Sequence, residues 1–134
     1  MIGKYKNKTL NKKKYSAISC KQRNAIKEAT GMTTTNLYIG LNDKDTKQQE
    51  LSNLEAKAEI SAILFRYCPN GFTLQECQGM YKHADGTVVC ENTIKVILLD
   101  YNLSMIFEIV EDLKRKLNQE CIAVERLESI IDFV

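Results

Sequence analysis

The sequence predicts a single α+β domain, and three features carry that prediction. A long β-hairpin runs from Phe72 to Leu99 around Ala84-Asp85-Gly86, a segment of helical period lies on each side of it, and strand-like segments stand near both ends. Asp-Gly between two β-rich runs is a strong hairpin signal, because glycine accepts the positive φ that a tight turn demands. A hairpin this long belongs inside a sheet, and its polar residues must face water or a partner.

From the N-terminus, residues 1–18 read as an unstructured basic tail, with residues 19–134 as one folded unit. Ser19 is placed to cap a short helix over Cys20–Thr30, which Gly31 ends as a positive-φ residue. Met32 to Thr35 is β-branched and extended. Asn36 to Leu41 reads as the first strand, with Leu37, Ile39 and Leu41 on one face. A polar loop follows over Asn42 to Glu50. Ser52 and Glu55 have the spacing of a capping box, in which each side chain satisfies the other residue's backbone N–H. The helix they start runs to about Tyr67, where Pro69-Asn70-Gly71 closes it. Its apolar positions Leu54, Ala58, Ala62 and Phe65 are expected to share a face, with Ile63 nearby. The hairpin supplies two strands. A second helix is expected over Leu103 to Leu117, with Leu103, Ile106, Val110, Leu113 and Leu117 on one stripe. Glu120 to Arg126 reads as the last strand, and Leu127 to Val134 as a further strand or a docking segment. Strand–helix–strand–strand–helix–strand is the order of the ferredoxin-like βαββαβ fold, an antiparallel sheet with both helices on one face, here with an extra N-terminal helix. A sheet covered on one side only, and rich in Ile, Val, Leu, Tyr and Met, implies a second copy against the other side.

Length and composition bound the class. At 134 residues there is room for one core, and 44% apolar content is that of a folded chain. No apolar run approaches the ~20 residues of a membrane span, and the basic N-terminus has no apolar stretch after it. Five cysteines without a C-x-x-C spacing favour reduced, non-metal thiols in a cytoplasmic protein. Cys68, Cys77, Cys90 and Cys121 lie in or beside apolar segments and read as small buried side chains. The net charge of +2 hides an asymmetry: nine of the 19 basic residues, Lys4 through Lys27, precede Glu28, the first acid. Such a tail is either solvated or an arm that tracks phosphates.

No catalytic constellation stands out. His83 is the single histidine, and there is no Walker loop, dinucleotide glycine fingerprint or zincin motif. Asp43 and Asp45 are either a cation pair or ordinary turn chemistry. Tyr81 and Lys82 offer a stacking ring beside a phosphate partner, or simply a solvated turn. Asn92 and Thr93 interrupt a strand; asparagine there suggests a bulge or a ligand contact, since an amide both donates and accepts. Arg66, Lys95, Arg115 and Arg126 are the remaining candidate phosphate contacts. No cofactor or metal is expected.

The segments QRNAIKEATG, LYIGLNDKDTKQQE and GMYKHADGTVVCENTIKV resemble the Thoeris anti-defence protein one family, phage-encoded sponges for cyclic nucleotide signals; the likeness runs from Lys21 to Val134. It implies a non-enzymatic protein that sequesters a cyclic ADP-ribose isomer without cleaving it. Some members of that family also capture cyclic oligonucleotides at separate sites. The resemblance further implies dimers or hexamers with pockets at subunit boundaries. The contacts it implies are an aromatic on adenine, an asparagine on polar edges and arginines on the pyrophosphate. Asn92 matches the family's asparagine, and Tyr81 is the stand-in for the aromatic. The rival readings are a nucleic-acid-binding module of the same fold, disfavoured because no RNP-like aromatic pair occurs in the hairpin, and a protein-inhibitor module.

Overall fold

The computed structural model describes residues 32–134; the basic segment 1–18 and the helix expected over 20–30 lie outside the described residues. Six elements follow in order: β1 (Met32–Gly40), α1 (Asn53–Tyr67), β2 (Thr73–Lys82), β3 (Val88–Leu99), α2 (Leu103–Lys116) and β4 (Ala123–Ser129). The strands form one antiparallel sheet in the order β2-β3-β1-β4, the ferredoxin-like arrangement.

Local chemistry explains each boundary. Ser52 Oγ accepts from the Glu55 N–H at 3.1 Å and Glu55 Oε2 accepts from the Ser52 N–H at 2.8 Å, so the capping box forms in full. The Ser52 N–H bond to the carboxylate, with the nearby Ser52 hydroxyl, holds Glu55 below its ordinary pKa. Asn102 caps α2 by accepting from the Met105 N–H at 2.8 Å. Between β2 and β3, Gly86 adopts φ 91°, and Asp85 Oδ1 accepts from the Thr87 N–H at 2.8 Å. Any other residue at Gly86 would strain the turn.

The core lies between the two helices and one sheet face. Leu37, Ile39 and Leu41 from β1 and its end, with Ile94, Val96 and Leu98 from β3, meet Ala56, Ile60, Ile63 and Leu64 of α1 and Ile106, Ile109, Val110 and Leu113 of α2. Burying an aliphatic side chain of this size stabilises by about 1.5–3 kcal/mol relative to exposure.

Four expectations are corrected. The buried stripe of α1 is Ala56-Ile60-Ile63-Leu64, while Leu54 and Phe65 are 75% and 60% exposed and Ala58 and Ala62 face outward. Both stripes have helical spacing, and the one richer in large aliphatics takes the core. Leu103 opens α2 on its exposed side. The last strand begins at Ala123 and ends at Ser129, because its register on β1 pairs Ala123 with Tyr38 and Ser129 with Met32. Correspondingly, β1 starts at Met32. Of the described cysteines only Cys68 is buried; Cys77, Cys90 and Cys121 are exposed.

The ladders also show that the hairpin outruns the sheet. β1 pairs with β3 from Thr93 to Leu99, whereas β2 continues along β3 through Gly79↔Glu91, Met80↔Cys90, Tyr81↔Val89 and Lys82↔Val88. Those four outer rungs form a two-stranded ribbon, with Met80, Tyr81 and Val88 exposed.

Candidate functional site

Strand alternation assigns every β residue to a face. Turned away from the helices are Asn36, Tyr38 and Gly40 of β1, Cys77, Gly79 and Tyr81 of β2, Glu91, Thr93 and Lys95 of β3, and Glu125 of β4. These residues form an ordered polar group on a face that also carries Val89 and Ile97 of β3 and Ala123 and Leu127 of β4. Glu125 Oε1 accepts from Asn36 Nδ2 at 2.9 Å and from the Tyr38 hydroxyl at 3.0 Å. Lys95 Nζ lies 5.6 Å from the centre of the Tyr38 ring, within cation–π range. The Asn36 and Tyr38 bonds, helped by the Lys95 charge, hold Glu125 below the usual carboxylate range. The same hydrogen bond, with burial and the negative charge, pushes the Tyr38 phenol up. Asn36 is 6% exposed, and its Oδ1 has no hydrogen-bond partner.

A second carboxylate stands on this face. Glu91 Oε1 accepts from the Asn42 N–H at 2.8 Å, and its carboxylate lies directly over Gly40, where any Cβ would collide with it. Gly79 stands opposite Glu91 on β2, and a Cβ there would meet Thr93 Oγ1 at 3.3 Å. Two glycines therefore leave the sheet bare on either side of one acid. Thr93 is itself buried, with Oγ1 bonded to the Glu91 carbonyl at 3.3 Å.

The expected site residues fall in five places. Tyr81, Thr93 and Lys95 share the outer face, with Tyr81 out on the ribbon in edge contact with the His83 ring at 5.2 Å. Lys82 projects from the other side of that ribbon. Asn92 alternates to the helix side, where its Nδ2 donates to Gln49 Oε1 at 2.8 Å and braces the loop after β1. Arg66 and Arg115 sit on the outer surface of the helix layer, where both reach Asp112, at 3.8 and 3.2 Å. One small ligand on one protomer cannot touch those two arginines and the outer face together. Arg126 lies at the end of the sheet on the helix side, with Nη2 donating to the Tyr101 carbonyl at 3.4 Å and burial lowering its pKa. Its Nη1 is buried without a hydrogen-bond partner, as is Oγ1 of Thr35, its neighbour across the β1–β4 ladder. Tyr101 beside it has its phenol pushed up to about 12, chiefly by burial.

Asp43 and Asp45 resolve as turn chemistry. Asp43 Oδ1 accepts from the N–H groups of Asp45 and Thr46, and Asn118 Nδ2 donates to both carboxylates at 2.8 Å. The loop is thereby tied to the end of α2.

Sequence reasoning missed Asn36, Tyr38, Glu91 and Glu125 as one group. Sequence reasoning starts the first strand at Asn36, where an amide draws no notice; β1 begins at Met32, which puts Asn36 in mid-strand, where amides are disfavoured. Its partnership with Glu125 spans 89 positions and depends on strand order.

Among the described residues no helix is long and apolar enough to cross a membrane. No curated protein sequence matches the chain. Solved structures do. A phage SAM lyase in complex with S-methyl-5′-thioadenosine is similar at TM-score 0.55 and 23% identity, covering 78% of this chain and 86% of the lyase. The apo state of a phage SAM lyase gives TM-score 0.53 and 21% identity over the same shares. CutA1 from Pyrococcus horikoshii aligns at TM-score 0.48 and 15% identity, covering 77% of this chain and 86% of CutA1. At these identities the likeness to the lyase is one of fold. Residues 34–133, nearly all of the described chain, match the family described as protein of unknown function DUF3574, and the chain belongs to that family.

Proposed function

We propose that this chain is a binding protein for an adenine-nucleotide signal, taken up on the outer sheet face and held intact. Asn36 carries the reading: a side-chain oxygen nearly sealed from water, without a partner, beside an ionised carboxylate, a phenol and an ammonium group. A buried acceptor left unmade is costly, so a ligand donor there gains more than a surface contact would. The exocyclic amine of adenine is such a donor. Glu125 suits a ribose hydroxyl and Lys95 a phosphoryl oxygen, with Glu91 further along the face. Tyr81 stands on the ribbon eight residues along the ladder from the level of Asn36, roughly 26 Å away, too far for one nucleotide to reach both. The resemblance to the phage anti-defence sponges narrows the ligand to a cyclic ADP-ribose isomer. It also favours a homodimer or hexamer in the cytoplasm of an infected bacterium, without catalysis. Asn92, the match in that family's motif, acts on this reading through the loop it braces.

A specific observation favours a second reading. The face carries two carboxylates and one lysine, a balance that suits a cationic sulfonium nucleoside, and the fold is similar to that of a phage SAM lyase. On that reading the protein cleaves its ligand.

Thermal shift against cyclic ADP-ribose isomers, cyclic dinucleotides, S-adenosylmethionine and S-methyl-5′-thioadenosine separates the two. A ligand at 100 times its Kd adds about 2.7 kcal/mol to the native state, roughly 10 °C or more for a domain of this size. The sponge reading expects a shift with a cyclic ADP-ribose isomer, its loss in Asn36→Ala, and full recovery of intact ligand after the protein is heated. Steady disappearance of S-adenosylmethionine would transfer the assignment to the lyase. A shift unchanged in Asn36→Ala removes the outer face from the site.

A further inference from the structure

We infer that the groove between α1 and α2 is an anion site, built to take a terminal phosphoryl group between Arg66 and Arg115. It lies on the opposite side of the molecule from the outer sheet face and is independent of the function proposed there.

The helices run antiparallel, as the pairs Glu59–Lys116 at 3.4 Å and Arg66–Asp112 show. Glu59, Ala62, Ile63 and Arg66 descend one side of α1 at helical spacing, and Asp112, Arg115 and Lys116 face them across an open groove of about 600 Å³. Ala62 is small and exposed, which keeps the groove open, and Ile63 forms an apolar floor beside it.

Asp112 sets the electrostatics. The Tyr67 hydroxyl and Arg66 Nη2 both reach its Oδ2, and Arg115 Nη1 reaches its Oδ1. The Tyr67 bond first, then Arg115 and Arg66, holds its pKa low, so it is ionised at neutral pH. One carboxylate thus organises two guanidinium groups and has little acceptor capacity left for either. A guanidinium has five N–H donors in a planar fork, and each arginine directs one nitrogen to Asp112. Their side chains remain 65% and 75% exposed and both line the groove, so their remaining donors are open to an incoming anion. With Lys116 against Glu59, the lining carries three positive and two negative charges. The net charge of +1 and the two guanidinium forks favour a phosphoryl group there, held by charge-assisted hydrogen bonds. The floor of Ala62 and Ile63 adds apolar contact for whatever body the phosphate ends.

Arginine side-chain NMR tests this on the full chain, titrating inorganic phosphate and, separately, AMP at constant ionic strength. Saturable movement of the Arg66 and Arg115 Nε–H signals is expected, with half-saturation raised about tenfold or more by Arg115→Gln. Ala62→Leu, an exposed change that fills the floor without touching charge, should weaken AMP more than phosphate. If phosphate alone saturates, the group is taken as the free anion; if AMP is tighter, as a phosphomonoester. Asn36→Ala on the far face should leave both titrations unchanged, whatever becomes of the nucleotide reading. Linear, unsaturating shifts, or identical curves for wild type and Arg115→Gln, would overturn the inference.

Discussion

Replacing Gly40 with alanine tests the close fit of Glu91 over β1. A Cβ at this position would sit 2.6 Å from Glu91 Oε2, with two more atoms of the group closer still, so the carboxylate must swing away. Its departure breaks the 2.8 Å bond from the Asn42 N–H. A hydrogen bond to a charged acceptor is worth about 1.5–3 kcal/mol. The lower end applies, because Glu91 and Asn42 are half-buried and water can replace the lost partner. Against this, alanine in a strand is favoured over glycine by roughly 0.5–1 kcal/mol. The expected net loss is about 1 kcal/mol by urea denaturation. In a Glu91→Ala background the clash and the bond are both absent, so the same glycine change should stabilise by about 0.5 kcal/mol. The double-mutant cycle should therefore show a coupling of roughly 1.5 kcal/mol. Equal destabilisation in both backgrounds would refute the reasoning and place the requirement for glycine elsewhere.

Three further outcomes follow from the packing and the charges. Ile60→Ala should destabilise by about 2–5 kcal/mol, while Leu54→Ala nearly two turns away should fall within about 0.5 kcal/mol; chemical denaturation of both checks which stripe of α1 is the core. Ser52→Ala removes half of the capping box and should cost about 1 kcal/mol, read from the same unfolding curves. Glu125 and Asp112 both titrate below their ordinary values in the folded state, so the stability they confer is complete above the unfolded pKa and is lost as pH falls through the folded one. Thermal midpoints should thus decline below about pH 5, and Glu125→Gln should flatten part of that decline.

The element order was legible because its signals are local. The Ser52–Glu55 spacing, the Asp85-Gly86 turn and the alternation of Leu37, Ile39 and Leu41 each lie within a few residues of one another, and all three formed as read. The face of α1 was not legible, because Leu54, Ala58, Ala62 and Phe65 compete with Ala56, Ile60, Ile63 and Leu64 at the same period. Only packing against β1 and β3 decides between them. The exposure of Cys90 follows from the reach of the hairpin past β1, a matter of register that neither strand encodes by itself, and that of Cys77 from its place on the outer face of the edge strand β2. For the same reason the sequence pointed to Asn92, whose partner is the loop, and passed over Asn36, whose partner arrives from β4.

The ribbon formed by Gly79–Lys82 and Val88–Glu91 has a kinetic consequence. Its amides have a neighbour on one side only, and few apolar contacts hold them shut. They can part without disturbing the bonds of β3 to β1. Protons there should exchange with deuterium long before those of Leu37 or Val96, which await global unfolding. The molecule thus has two tiers of protection, and the loosely held tier is the one that presents Tyr81 and Cys90.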